Sequence, residues 1–143
     1  MKILLTGING QLGNQLQTPL KKIGEVTAVG RENLDLADSN AISQLIGQVQ
    51  PELIINAAAY TAVDKSEKEP ELADAVNRIS PGIMAKEAKK LGATLIHIST
   101  DYVFDGSQSR PYTETDLTNP LGTYGKSKLA GEEAIRETEA NHI

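Results

Sequence analysis

Tyr124 and Lys128 stand four residues apart in a stretch that predicts a helix, so their side chains share one helix face. An ammonium beside a phenol stabilises the phenolate, which makes the phenol a better proton donor at neutral pH. Such a tyrosine can give a proton to a carbonyl oxygen as a general acid. Thr100, at the end of a predicted strand, can donate a second hydrogen bond to that oxygen. These three residues form the candidate catalytic group.

A Tyr–Lys pair at this spacing also arises by chance, so its meaning depends on a motif at the start of the chain. A short apolar run, residues 1–6, leads into Gly7-Ile8-Asn9-Gly10-Gln11-Leu12-Gly13, and a helical pattern follows. Strand, glycine turn and helix are the context that a dinucleotide-binding motif requires. The first glycine would make the turn, the second would admit a diphosphate to the backbone, and the third would let the helix pack on the sheet.

Taken alone, these glycines fit a plain strand–helix turn equally well. A phosphate-binding loop of the Gly-Lys-Ser/Thr type is excluded, because no lysine follows the last glycine. In the dinucleotide interpretation, the N–H groups and positive dipole end of the helix would bind the phosphates.

Composition limits the function classes. The chain has 143 residues, which suggests one domain, and its formal net charge of -5 argues against a nucleic-acid surface. It has no cysteine, so disulfides and thiolate metal sites are excluded, and no metal site is expected. No apolar run is long enough to cross a bilayer, and Met1 leads directly into the first strand without room for a signal peptide. We therefore expect a soluble cytoplasmic protein.

The elements that must position these residues alternate between strands and helices. Apolar runs predict further strands at residues 26–29, 53–56 and 95–99. Between them lie helical patterns, the first with Leu12, Leu16 and Leu20 at four-residue spacing. This alternation predicts an α/β fold: a doubly wound parallel sheet of the Rossmann-like, dinucleotide-binding type.

The helices have recognisable start and stop signals. Asp38 or Ser39 can cap a helix whose apolar face holds Ile42, Leu45, Ile46 and Val49. Pro70 suits the first turn of a long helix that Pro81 should kink and Gly92 should end. Its apolar face would hold Leu72, Val76, Ile79, Ile83 and Ala88. The charged segment 64–68 before it is expected to be solvated.

Several polar residues admit two interpretations. Arg31 and Glu32 follow the second strand, where an arginine favours NADP and an acid favours NAD; we lean to NADP(H), although two solvated charges fit as well. Asp35 could bond the adenine or form a turn. Asn77 could be a local kink device or could face the active site. His97 is interpreted as a satisfied sheet residue, because it lies inside a strand.

Three stretches, residues 56–64, 99–106 and 124–132, together closely resemble the dTDP-4-dehydrorhamnose reductase family of the extended short-chain dehydrogenase/reductase superfamily. The resemblance implies reduction of the 4-keto group of dTDP-4-dehydro-L-rhamnose with NADPH or NADH, in nucleotide-sugar and cell-surface polysaccharide biosynthesis. It makes Tyr124 the proton donor and Lys128 its partner, which also bonds the nicotinamide ribose. Thr100 would orient the carbonyl, and Asp101 and Tyr102 would lie by the substrate.

The resemblance also assigns the cofactor site. Together with the interpretation of the glycine turn and the strand ends, the expected cofactor-binding residues are Gly7, Asn9, Gly10, Gln11, Leu12, Gly13, Arg31, Asp35, Leu36, Ala58, Ala59, Tyr60, Thr61, Tyr124 and Lys128. Asn77 resembles the helix asparagine of the superfamily's catalytic tetrad.

Length is the main departure from the family, whose members are roughly twice as long. Residues 1–143 resemble an incomplete NAD(P)-binding domain, truncated before its C-terminal strands and its substrate-binding part. We therefore expect weak cofactor binding and no sugar reduction by the chain alone. An unpaired sheet edge favours self-association, for instance as a homodimer. Two other functions stay open: a different nucleotide-sugar reductase or epimerase, and a non-catalytic regulatory subunit of the methionine adenosyltransferase type.

Overall fold

The computed structural model describes all residues, 1–143, as alternating strands and helices. The strands are β1 (Lys2–Thr6), β2 (Glu25–Val29), β3 (Leu53–Asn56), β4 (Thr94–His97) and β5 (Asn141–His142). The α-helices are α1 (Gln11–Leu20), α2 (Ser39–Val49), α3 (Val63–Ser66), α4 (Pro70–Asp74), α5 (Ser80–Leu91) and α6 (Thr123–Arg136). A π-helical turn, Ala75–Ile79, joins α4 to α5, and a 3-10 turn, Asp101–Val103, follows β4.

The five strands form one sheet in the order β2-β1-β3-β4-β5, and every neighbouring pair is parallel. The order reverses direction at β1, so the carboxyl ends of β1 and β3 flank the point where a doubly wound sheet binds its ligand. The predicted α/β, Rossmann-like fold is therefore confirmed.

Both faces of the sheet are covered, as parallel sheets require. On one face, Leu4, Ile54 and Leu95 pack with residues of α2, α5 and α6 in the larger apolar cluster. On the other, Ile3, Leu5 and Ile55 pack with Leu20 of α1. Adjacent residues of β1 thus point to opposite layers, which explains its unbroken apolar run. No helix of the chain combines the length and apolarity needed to span a membrane.

The structure corrects several details of the predicted elements. Of the leucines with four-residue spacing in α1, Leu20 is buried, whereas Leu12 is 41% exposed. Strand β4 ends at His97 rather than at Ser99. The charged residues of segment 64–68 are exposed, as expected, but the segment includes the end of α3 and buries Ser66, whose hydroxyl donates to the Val63 carbonyl.

The long helix predicted from Pro70 to Gly92 is a single helical run with a wide turn in its middle. In the π turn, the Ser80 N–H bonds the Ala75 carbonyl, five residues back. Pro81 lies directly after this turn, in the first turn of α5, where its missing N–H is tolerated. The predicted apolar face is only partly buried: Leu72 is 40% exposed and Ile79 is 38% exposed. Gly92 ends the run in a left-handed conformation, as predicted.

Candidate functional site

A cleft of about 840 Å³ opens along the carboxyl ends of the parallel strands. Its walls are the glycine turn after β1, the segment after β2, the segment after β3 and the first turns of α6. Of the predicted site residues, it brings together Gly7, Asn9, Gly10, Arg31, Asp35, Leu36, Ala58, Ala59, Tyr60, Thr61, Tyr124 and Lys128. The start and the end of the chain therefore contribute to one crevice.

The N-terminus of α1 faces this crevice without a cap. Its N-cap residue, Gly10, has no side chain that could accept from the first helical amides. The first amide of the helix with a partner is that of Asn14, which donates to the Gly10 carbonyl. The N–H groups of Gln11, Leu12 and Gly13 thus have no acceptor within the chain. Three consecutive unpaired amides at a positive dipole end are suited to a phosphate.

The backbone around this turn leaves no room for larger residues. Gly7 has φ +76°, and a Cβ atom there would lie 2.7 Å from the carbonyl of Ala57. A Cβ atom at Gly13 would collide with the Gly7 carbonyl. Gln11, Leu12 and Gly13 do not line the cleft with their side chains. Their contribution to the site is limited to backbone amides and, for Gly13, close packing of α1 on the turn.

The segment after β2 forms the far end of the cleft. Arg31, Asp35 and Leu36 line it. Of the adjacent pair Arg31 and Glu32, only Arg31 lines the cleft; the Glu32 carboxylate accepts a hydrogen bond from Asn9 Nδ2 at 3.0 Å and lies against Gly30. Asp35 Oδ1 accepts from the Ala37 N–H at 2.9 Å, the turn-forming role that the sequence had left open.

Lys128 is the most deeply buried charged side chain of the site, with 1% of its surface exposed. Its Nζ donates to the Ile98 carbonyl at 2.5 Å and lies 3.3 Å from His97 Nε2. Burial lowers the pKa of Lys128 to about 8, and the Glu132 carboxylate opposes this effect. A lysine in this state can exchange a proton close to neutral pH.

His97 connects Lys128 to the interior of the sheet. Its Nδ1 lies 3.0 Å from Asn56 Nδ2, and the Asn56 Oδ1 accepts from the Thr6 hydroxyl at 2.7 Å. Burial and the neighbouring Lys128 lower the pKa of His97 to about 3, so the ring is neutral. The interpretation of His97 as a satisfied sheet residue agrees with these contacts, but nothing in the sequence pattern indicated that its second nitrogen faces Lys128.

Tyr124 lies between the cleft and a second cavity of about 380 Å³. Asp101 and Tyr102 line this second cavity, and the rings of Tyr102 and Tyr124 pack edge to face with centroids 5.5 Å apart. Thr100 lines neither cavity: its hydroxyl donates to Asp101 Oδ1 at 3.3 Å and accepts from the Tyr102 N–H at 3.3 Å. Its neighbour Ser99 lines the cleft instead.

Two polar residues that hold the site together were weakly signalled or missed. Asn77, left open by the sequence, is buried and bonds both backbone groups of Tyr60 and the Ser127 hydroxyl. Glu67 was missed; its carboxylate accepts from the Thr123 N–H at 2.7 Å and hydroxyl at 2.8 Å, so it caps α6 one residue before Tyr124. These bonds lower the pKa of Glu67. An acid at a helix N-terminus is a usable signal only once the two segments are known to meet.

Comparison with known proteins adds independent evidence. The family model described as the RmlD substrate binding domain matches residues 1–143. The dTDP-4-dehydrorhamnose reductase of Burkholderia thailandensis is 45% identical over 138 residues, covering 96% of this chain and 46% of the relative. The Escherichia coli K12 protein of the same name is 44% identical over 147 residues, covering 100% of this chain and 49% of the relative. The chain thus spans about half the length of the curated relatives it matches.

Solved structures give the same picture. A dTDP-4-dehydrorhamnose reductase of Clostridium acetobutylicum superposes with a TM-score of 0.94 at 43% identity, over 99% of this chain and 51% of that one. The enzyme of that name from Bacillus anthracis, solved in complex with NADP, superposes with a TM-score of 0.92 at 37% identity, over 99% of this chain and 51% of that one.

Proposed function

Because the chain belongs to the RmlD substrate binding domain family, we propose that it is the cofactor-binding and catalytic part of an NAD(P)H-dependent dTDP-4-dehydrorhamnose reductase. The family resemblance drawn from three sequence motifs is thereby confirmed. The proposed reaction reduces the 4-keto group of dTDP-4-dehydro-L-rhamnose. Residues 1–143 would serve as its NAD(P)-binding domain, and a cytoplasmic location and a homodimer stay predictions.

One observation carries this proposal: uncapped helix amides and the Tyr124–Lys128 pair line or border the same cleft, although more than one hundred residues separate them. The amides of α1 suit a diphosphate, and the flat alanine wall after β3 admits a planar group across the strand ends. The residues present therefore fit a dinucleotide. When bound, this cofactor supplies the hydride for the carbonyl carbon.

The proposed roles follow from the position of each side chain. Tyr124 gives its proton to the carbonyl oxygen of the sugar. Lys128, whose pKa burial lowers to about 8, would support Tyr124 as the proton donor from its buried position one helix turn later. Asp101 and Tyr102, in the second cavity beside Tyr124, would contact the substrate. Thr100 would need to release its contact with Asp101 to orient the carbonyl.

Arg31 supports a proposed preference for NADPH over NADH. It lines the end of the cleft that follows β2, where the adenosine ribose lies in folds of this type. Glu32, the acid that would favour NADH, already accepts a hydrogen bond from Asn9. Of the pair, only Arg31 lines the cleft, so its guanidinium is the cation of this segment that a ribose phosphate would meet.

The test is a chimera in which this chain replaces the matching N-terminal half of the Escherichia coli relative. We expect the chimera to reduce the keto sugar with NADPH and the isolated 143-residue chain to show no turnover. In the chimera, Tyr124→Phe should lower kcat on the order of 10²–10⁴-fold with nearly unchanged NADPH affinity. A chimera that folds and binds NADPH but reduces no keto sugar, or a Tyr124→Phe variant with full turnover, would contradict the proposal.

A further inference from the structure

The orientation of the Asn56 amide can be read from its donors. Its Oδ1 accepts from the Thr6 hydroxyl at 2.7 Å and from the Ala58 N–H at 3.3 Å. Since the backbone N–H can only donate, the oxygen must lie on that side of the amide. The Nδ2 group of Asn56 therefore faces His97 Nδ1, at 3.0 Å.

This amide fixes the tautomer of His97. Because Asn56 Nδ2 donates, His97 Nδ1 must present a lone pair, and in a neutral imidazole the hydrogen then sits on Nε2. The ring is neutral because burial disfavours its charged form. The Nε2–H group points at Lys128 Nζ, 3.3 Å away.

An ammonium is a poor partner for that group. It has three N–H donors and no lone pair, so a charged Lys128 would set a donor against the Nε2–H of His97. An uncharged amine can accept from His97 while still donating to the Ile98 carbonyl, 2.5 Å away. The contacts of Nζ are thus all satisfied only when Lys128 has lost its proton.

We propose that His97 is a positioning residue that holds Lys128 through its Nε2–H and favours the uncharged amine of Lys128. Its effect adds to that of burial, so that Lys128 gains and loses a proton near neutral pH instead of remaining charged. Resting on the proposed reduction, this gives His97 a role there: it keeps Lys128 able to take up a proton at the working pH, and the ammonium so formed is the state that stabilises the Tyr124 phenolate.

The other charges around Lys128 do not replace this contact. Glu132 on the same helix favours the ammonium, but its two carboxylate oxygens already bond the Ser99 hydroxyl and the Arg136 guanidinium. Tyr124 is the titratable neighbour one turn earlier. Across the cleft stand Arg31, Asp35 and Lys65. The buried polar side chains of β3 and the π turn are the neutral amides of Asn56 and Asn77, and Arg78 of that turn pairs with Asp74.

The first measurement is the tautomer, read from ¹⁵N chemical shifts of the ring nitrogens in the unaltered, cofactor-free chain. We expect the proton of His97 on Nε2 throughout neutral pH. The chain has two histidines, and His142 is an internal reference with the opposite geometry: its Nδ1 lies 2.8 Å from the Ala140 carbonyl and must donate. A proton on Nδ1 of His97 would overturn the proposal, and this test does not depend on whether any variant folds.

The second measurement is the direction in which the pKa of Lys128 moves in His97→Met, followed by the ¹³Cε shift of the lysine. Removing an opposing N–H donor should raise that pKa by about one unit. If His97 instead accepted from an ammonium, its removal would lower the pKa, and an unchanged or lowered value overturns the proposal. His142→Met should leave the titration of Lys128 unchanged. Neither readout needs turnover, so a failure of the proposed reduction stays distinguishable.

Discussion

Asn77 holds Tyr60 by both of its backbone groups. Asn77 Oδ1 accepts from the Tyr60 N–H at 2.8 Å, and Nδ2 donates to the Tyr60 carbonyl at 3.1 Å and to the Ser127 hydroxyl at 3.0 Å. One buried side chain therefore ties the π turn to the segment after β3 and to α6. All three segments border the cleft, so this asparagine sets their relative positions.

Replacing Asn77 with Ala should destabilise the chain strongly. The change leaves two buried backbone groups of Tyr60 without partners, which costs about 3 kcal/mol in the free energy of unfolding. Urea denaturation measures this loss. Asn40→Ala is the matched control, because Asn40 is an exposed helix residue whose side chain makes no hydrogen bond, and it should shift stability by less than about 0.5 kcal/mol. Equal effects of the two changes would contradict this role of Asn77.

Glycine substitutions in two helices should have opposite effects. Gly13→Ala places a methyl group against backbone atoms of Gly7 and Ile8, which can move less easily than a side chain. We therefore expect the free energy of unfolding to fall by about 2 kcal/mol. Gly47→Ala fills open space in α2 and should stabilise by up to about 1 kcal/mol through higher helix propensity. Thermal unfolding of the two variants side by side gives both signs. A tolerated Gly13→Ala would mean that the close packing of α1 on the turn is not required.

Arg31→Ala should weaken NADPH binding about tenfold and leave NADH affinity nearly unchanged, because a charge-assisted hydrogen bond to phosphate is worth about 1.5 kcal/mol or more. Titration of the chain with each cofactor yields the ratio of the two dissociation constants. Arg78→Ala is the control, since Arg78 pairs with Asp74 on the exposed side of the helical run. An unchanged ratio in Arg31→Ala would show that this guanidinium does not read the 2′-phosphate.

The buried lysine should leave a signature in stability against pH. The pKa of Lys128 is about 8 in the folded chain, below the ordinary 10.5, so between these values the unfolded chain binds more protons. The free energy of unfolding should therefore rise from pH 8 to pH 10.5, by up to about 3 kcal/mol. Lys128→Met should remove this rise. Lys126→Met, an exposed lysine on the same helix, should keep it, and a rise that persists in Lys128→Met would assign it to another group.

Local patterns predicted much of the fold and the wall of the cleft. The apolar run of β1, the glycine turn and the capped start of α2 at Asp38 are each determined by a few neighbouring residues. Tyr124 and Lys128 line the same cleft as the glycine turn, because that cleft runs along the sheet edge where the parallel strands have their carboxyl ends. Such features need no knowledge of which strands are neighbours.

The supporting contacts could not be predicted, because they depend on the register between distant segments. His97 meets Asn56 across the β3–β4 pairing, 41 residues apart, and then Lys128 from α6, 31 residues further on. Glu67 caps a helix 56 residues away. Thr100 illustrates the reverse problem: its type fits the chemistry, but a 3-10 turn takes up its hydroxyl locally.

The wide turn at Ala75–Ile79 has a consequence for the helical run as a whole. An α-helix advances about 100° per residue, so one additional residue in a turn rotates everything after it by that angle. Leu72 before the turn and Val76 at its start line the cleft, whereas Met84 and Ala88 after it pack in the apolar interior. Deleting one residue there would leave the segment helical but rotate its two halves relative to each other. Either the residues that line the cleft or the residues that pack in the apolar interior would then lose their contacts.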